Sequence, residues 1–286
     1  MVTRSPAFTS PYAVGVALLL VSAIAFSSTG VFAKGVEAGA WAVIFWRGVF
    51  AATSTTLWAA SRGGLRHEFF GMGRAGLAVG IVGALGTAAL IPAFTLTTVA
   101  NVALIYAAAP FLAAFMAWVT IGERVSKRTA LGAGGALFGV AVIVSGSIGQ
   151  VNLMGDALAL AMTLAMSIIM VIYRARPKTP SAGPSVLQSV FLFPFAITFG
   201  APFSIAPVEM AILAGFGVFH AIASVTLAEG AKRVPAGLTA LIGARDTPLA
   251  PILSLLILRE VPSQTTLLGG AIVLAAVLHS LRQKPA

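Results

Sequence analysis

Ten apolar runs divide the chain, near 12–33, 41–61, 75–97, 101–121, 128–147, 153–174, 184–204, 208–230, 236–258 and 264–282. Each approaches or exceeds the about 20 apolar residues a helix needs to cross a bilayer. Short polar segments separate them. The third and fourth runs, and the eighth and ninth, are joined by very short links, which predicts antiparallel neighbours. The pattern therefore predicts an all-α integral membrane fold of ten transmembrane helices. Val31-Phe32-Ala33 fits a leader-cleavage pattern. The apolar stretch before it is longer than the about 7–15 residues of a leader core, so the first run reads as a retained helix.

The placement of basic residues supplies an orientation. With a cytoplasmic N-terminus, fourteen of the eighteen Lys and Arg fall in cytoplasmic segments and two, Lys34 and Arg259, fall outside. The remaining two, Arg47 and Arg245, lie within runs. One missed or invented helix would scramble this alternation, so both termini are expected to be cytoplasmic. Segments 1–11 and 283–286 are then short cytoplasmic tails.

Two halves, 12–147 and 153–282, resemble each other. A shift of 140 aligns Gly15 with Gly155, Ala25 with Ala165, Ser27 with Ser167 and Val31 with Val171. A shift of 137 aligns Glu123, Ser126, Thr129 and Gly132 with Glu260, Ser263, Thr266 and Gly269. Matches of Ala and Leu mean little in such sequence, but a recurring Glu-x-x-Ser-x-x-Thr-x-x-Gly is specific. Five helices per half is an odd number, so the second half enters the membrane from the opposite side. Inverted repeats of this kind build carriers, because each half can close one end of a shared central site.

Composition narrows the classes. The chain is 58% hydrophobic with mean hydropathy +0.99 and only 9% charged residues, against roughly 25% charged in an ordinary soluble domain. A soluble enzyme, a disordered chain and a secreted disulfide scaffold are excluded. The net charge of +10 falls between apolar runs and reports topology, so no nucleic-acid partner is expected. Cysteine is absent, and three His with eight acids make a metal centre improbable. No cofactor is expected. The sequence has no Gly-x-Ser-x-Gly, His-Glu-x-x-His or phosphate-binding loop, which argues against an enzyme and against an ATP-driven pump. No repeated filter sequence suggests a channel, and no large loops suggest a receptor or scaffold. The expected partners are a small-molecule substrate and the lipid bilayer, with no obligate protein partner evident.

Phe26-Ser27-Ser28 followed by Lys34, Pro110 in the fourth run, Gly122-Glu123-Arg124-Val125-Ser126, and their echo in Pro248 and Arg259-Glu260-Val261-Pro262-Ser263 carry a family resemblance. The chain resembles the drug/metabolite transporter superfamily, in its ten-helix, EamA-like branch of metabolite exporters. The resemblance covers nearly the whole sequence. Within the branch the chain looks most like aromatic amino-acid exporters, with departures. Phe26 stands where the family has Trp, Met166-Ser167 where it has an aromatic, and Ala107-Ala108-Ala109 before Pro110 where exporters carry larger side chains. The resemblance implies export of amino acids, aromatic or otherwise apolar, or of related small metabolites by a secondary transporter in a bacterial inner membrane. A proton-coupled exporter of drugs or cationic compounds is the alternative.

Polar residues inside runs are expensive and deserve individual readings. Arg245-Asp246 lies mid-run, followed by Pro248 and Pro251, which free backbone carbonyls nearby. The pair reads either as a ligand or proton site or as an ion pair pinning a kinked helix. His220 reads either as a proton-coupling group or as a neutral His bonded between helices. Arg47, behind Trp41 and Trp46, reads first as a snorkelling or structurally paired Arg beside an aromatic belt, with a carboxylate anchor near the outer mouth as the other reading. Phe26, Ser27, Tyr106, Met166, Ser167, His220 and Asp246 form the expected substrate site. Met162, Met166 and Met170 form a helical stripe that reads as packing. Asn101 and Glu229 read as caps or interfacial groups. Pro92, Pro110, Pro248 and Pro251 are candidate kinks. Gly76-x-x-x-Gly80 and Gly135-x-x-x-Gly139 allow close helix approach.

Overall fold

The computed structural model describes residues 10–123, 127–146, 153–243, 253–259 and 261–281. Every regular element among them is helical. Helix α1 (Pro11–Ser27) and α2 (Thr29–Lys34) fill the first run, and α3 (Ala40–Ser61) the second. A surface turn, α4 (Leu65–Phe70), leads to α5 (Gly73–Leu96), α6 (Val99–Tyr106), α7 (Ala109–Ile121) and α8 (Lys127–Ser145). The second half holds α9 (Leu153–Ala175), α10 (Ala182–Phe199), α11 (Pro207–Ala231), α12 (Ala236–Gly243), a π-helical turn at Ser254–Leu258 and α13 (Gln264–Leu281). Among the described residues, six stretches are long and apolar enough to cross a membrane: Pro11–Lys34, Gly73–Leu96, Val99–Ile121, Leu153–Ala175, Ala182–Phe199 and Pro207–Ala231.

Among the described residues, two of the predicted runs are broken rather than continuous. In the first, Ser27 Oγ donates to the Ile24 carbonyl at 2.7 Å and Ser28 Oγ to the Ala25 carbonyl at 2.8 Å. Hydroxyls that take backbone acceptors in this way compete with the helix ladder, and α1 ends there. In the fourth, Pro110 has no N–H and would crowd the carbonyl of residue 106 in a continuous helix. Helix α6 accordingly stops at Tyr106, and α7 restarts with Pro110 in its first turn. By contrast Pro92 sits inside α5 and Pro194 inside α10 without ending either helix.

The helices pair across the two halves in a reciprocal way. Helix α1 packs on α11 and α5 on α9, so the first helix of each half meets the third of the other. Likewise α3 packs on α11 and α10 on α5, pairing second with third. The second, fourth and fifth helices pair with their own counterparts, as α3 with α10, α7 with α12, and α8 with α13. Exchanging the halves maps this set of pairings onto itself.

Glycine allows the close approaches. A Cβ on Gly139 would lie 2.6 Å from Val273 Cγ2 and 2.8 Å from the Gly269 carbonyl oxygen, so α8 and α13 touch backbone to backbone. The Gly135-x-x-x-Gly139 motif thus serves contact within the chain. Gly76 and Gly80 do the same for α5 against Pro184 and Leu187 of α10.

A buried polar knot also joins the halves. Asp156, 1% exposed, accepts from Thr97 Oγ1 at 2.8 Å and from Asn101 Nδ2 at 3.2 Å. Thr266 Oγ1 donates to Asn101 Oδ1 at 2.6 Å. Asp156 lies in the first turn of α9, where the helix N-terminus favours a carboxylate. Asn101 therefore does more than cap a helix, since its side chain links α6 to α9 and α13. Glu229, read as an interfacial group, pairs with Lys232 at 2.5 Å and Arg233 at 2.7 Å.

Replacing Gly139 with Leu is expected to overpack the α8–α13 contact at a cost of about 1–3 kcal/mol. Thermal unfolding in detergent should show a lower midpoint for Gly139→Leu and an unchanged one for Leu131→Ala, which alters an exposed position on the same helix.

Candidate functional site

A cavity of about 100 Å³ lies where the halves meet. Helices α1, α2, α5 and α6 of the first half and α9, α10 and α11 of the second supply its walls. The break after Ser27 places Phe26, Ser27, Thr29 and Gly30 on its surface. Helix α6 ends at Tyr106, which closes part of the wall. Met162, Met166 and Leu227 add flexible apolar surface.

Among the residues expected from sequence, Phe26, Ser27, Tyr106, Met166 and His220 come together around this cavity. Ser167 does not line it. Its hydroxyl, fully buried, bonds the Thr163 carbonyl at 2.8 Å and the Ala109 carbonyl at 3.2 Å, tying α9 to the start of α7. Met162 and Met166 of the methionine stripe face the cavity, while Met170 packs in the core. Arg245, Asp246, Pro248 and Pro251 lie outside the described residues.

The polar end of the cavity is built around His220. Its ring meets Phe26 edge-on, with centroids 5.9 Å apart. Arg47 Nη1 lies 3.1 Å from His220 Nδ1, and Arg47 Nη2 donates to Thr87 Oγ1 at 3.2 Å. An arginine has donors and no acceptor. Nδ1 must then present a lone pair, which makes the imidazole neutral with its proton on Nε2. That nitrogen faces the Gln188 side-chain amide, whose Nε2 lies 2.9 Å away, and Ser224 Oγ at 3.3 Å. A half-turn of the amide brings its oxygen to the ring, as the Nε2 proton requires.

Arg47 itself is 1% exposed. The face of Phe216 covers its guanidinium, 5.4 Å from the ring centroid, and its Nε has no hydrogen-bond partner. No carboxylate pairs with it among the described residues. The expectation of a structurally paired Arg is met by neutral groups, not by an acid.

Gln188 and Thr87 were not singled out from the sequence. An amide near the start of the 184–204 run is a usable signal, since an uncharged polar group in a spanning helix also has to find a partner. Thr87 carried none, because a helical Thr ordinarily bonds its own backbone.

The EamA-like transporter family model matches twice, over residues 13–145 and 149–282. No curated protein gives a significant match. A solved crystal structure of a protein superimposes with a TM-score of 0.71, covering 94% of this chain and 97% of that one at 16% identity. At that identity the likeness concerns the fold. The two family matches between them span nearly the whole sequence, and the chain belongs to the EamA-like transporter family, whose members carry small solutes across membranes.

Proposed function

We propose that this protein is a secondary transporter that exports amino acids, aromatic or otherwise apolar, or related metabolites by alternating access across a bacterial inner membrane. The observation that carries the reading is a cavity walled by helices of both halves. Such a chamber can be opened on either side by movement of one half against the other.

The proposed topology has ten spans, residues 12–147 and 153–282 as inverted halves, and both termini cytoplasmic. The fourteen-to-two distribution of basic residues supports it. The reciprocal pairing of helices supports two equivalent halves. In this mechanism the apolar body of the solute rests on Phe26, Tyr106 and Met166, and its polar group meets Ser27 and His220. Asp246 and the Arg245–Asp246 pair belong to the same proposal as a second polar site in the ninth span. The helix breaks at residue 28 and at residues 107–108 provide pivots next to the cavity, Pro110 starting the second segment of the fourth span. Pro92, Pro248 and Pro251 are proposed as further bending points. A cationic compound is the second substrate reading. The described cavity wall has no acidic side chain, which favours amino acids.

Counterflow of labelled phenylalanine, leucine and methionine in proteoliposomes tests the transport. Saturable exchange above empty liposomes is expected for at least one of them, and its absence for all three, with exchange of an organic cation instead, would favour the second reading. His220→Ala removes one of the two acceptors of Arg47 and should lower exchange by about tenfold or more. Wild-type exchange persisting in both His220→Ala and Asp246→Asn, with an unchanged pH profile, would remove the polar-site assignment.

Because the chain has no cysteine, topology is open to single-cysteine labelling without background substitutions. Gly64→Cys is expected to react only with reagent that reaches the cytoplasmic side, and Gln150→Cys with impermeant reagent outside. Labelling of both from one side would overturn the inverted arrangement.

A further inference from the structure

Arg47 is a full positive charge held in the protein interior without a neighbouring acid among the described residues, and both of its hydrogen bonds end on residues of the cavity wall. Removing an ion from water is expensive unless an opposite charge and hydrogen bonds compensate it. Phe216, Thr87 and His220 supply hydrogen bonds and a ring face, but no negative charge.

The direction of these hydrogen bonds decides what the wall offers. Thr87 Oγ1 accepts from Arg47, so its own proton points away from the guanidinium. That hydroxyl donates to no described acceptor, and Thr87 lines the cavity. His220 accepts at Nδ1, so its proton is directed from Nε2 toward Ser224 and Gln188, which also line the cavity. Once Ser224 Oγ and the Gln188 oxygen accept from the ring, the Ser224 hydroxyl proton and the Gln188 amide protons are free to donate. The cavity end is thus a cluster of donors backed by a buried cation. Charge-assisted arrangements of this kind suit an acceptor-only group.

We infer that Arg47, acting through Thr87 and His220, makes this end of the cavity a receptor for a carboxylate, so that the solute carries an anionic group on an apolar body. The inference rests on the transporter reading for its biological meaning and deepens it by naming the substrate class. The solute's carboxylate supplies the negative charge that Arg47 lacks. A lipophilic cation without a carboxylate meets only repulsion there.

Binding to the purified full-length protein tests the site, with thermal stabilisation in detergent as the readout. The probes are 3-phenylpropionate, phenylalanine and phenethylamine, which share one apolar body and differ in charge. Saturable stabilisation is expected for the two carboxylates and not for the amine. Arg47→Gln is expected to weaken carboxylate binding by about tenfold or more, with Arg47→Lys retaining part of it. Thr87→Val keeps the side-chain shape, leaves Arg47 in place and should cost a several-fold loss, which covers the case of an Arg47 variant that does not fold. Phenethylamine binding as well as 3-phenylpropionate, no stabilisation by either carboxylate, or unchanged carboxylate affinity in Thr87→Val and in folded Arg47→Gln would each overturn the inference. Counterflow of the same probes separates the two readings. Exchange of phenethylamine alone removes the carboxylate receptor and leaves a transporter, whereas carboxylate binding with no exchange of any probe leaves the receptor and removes the transporter.

Discussion

A hydrocarbon interior supplies no water, so every polar group that the sequence places there has to be satisfied by the chain itself. Among the described residues Arg47 is the severest case, a guanidinium at 1% exposure. Its guanidinium is covered by the ring of Phe216 from α11, and its hydrogen bonds reach α5 through Thr87 and α11 through His220. Three helices are thereby fixed around one side chain. His220 then passes the constraint on, since its second nitrogen has to be met by Gln188 of α10 and Ser224 of α11. The polar end of the cavity exists because this chain of obligations terminates at a wall and not in packed side chains.

The same constraint acts at the other polar positions. Asp156 is stabilised by Thr97, Asn101 and its own helix terminus, and Thr266 completes the set from α13. Ser22 donates to the Ala223 carbonyl at 2.9 Å, adding a hydrogen bond where α1 crosses α11. Glycine serves the complementary purpose of bringing backbones together. Gly230 receives Leu19 in one crossing, and Gly139 meets the Gly269 carbonyl in another. Polar bonds and small residues thus divide the task of joining the halves, with side-chain packing filling the remainder.

Much of this was legible in the residues before any coordinates. Apolar runs located the helices, because length and hydropathy are what the bilayer selects. The recurrence of Glu-x-x-Ser-x-x-Thr-x-x-Gly indicated the two halves that the family match also finds. Phe26, Ser27, Tyr106, Met166 and His220 were picked from five different positions along the chain and share one cavity. Other features left weaker traces. Ser167 looked equivalent to Ser27, but its hydroxyl is consumed by the Ala109 carbonyl at the break between α6 and α7. That break was expected as a kink, and its effect on a helix 58 residues away depends on tertiary contact. The acceptors of Arg47 are likewise set by helix crossing, so its partners could not be read from spacing alone.

The reciprocal pairing of helices has an energetic consequence. In the proposed alternating-access cycle, the main pairings described above would be conserved, because each of them is either its own image or exchanged with another. The contact energy of those pairings would then largely cancel between the two arrangements. What would bias one over the other are the crossings and residues without a like counterpart, which would make the balance sensitive to single substitutions and to a bound solute far weaker than the forces that hold the bundle together.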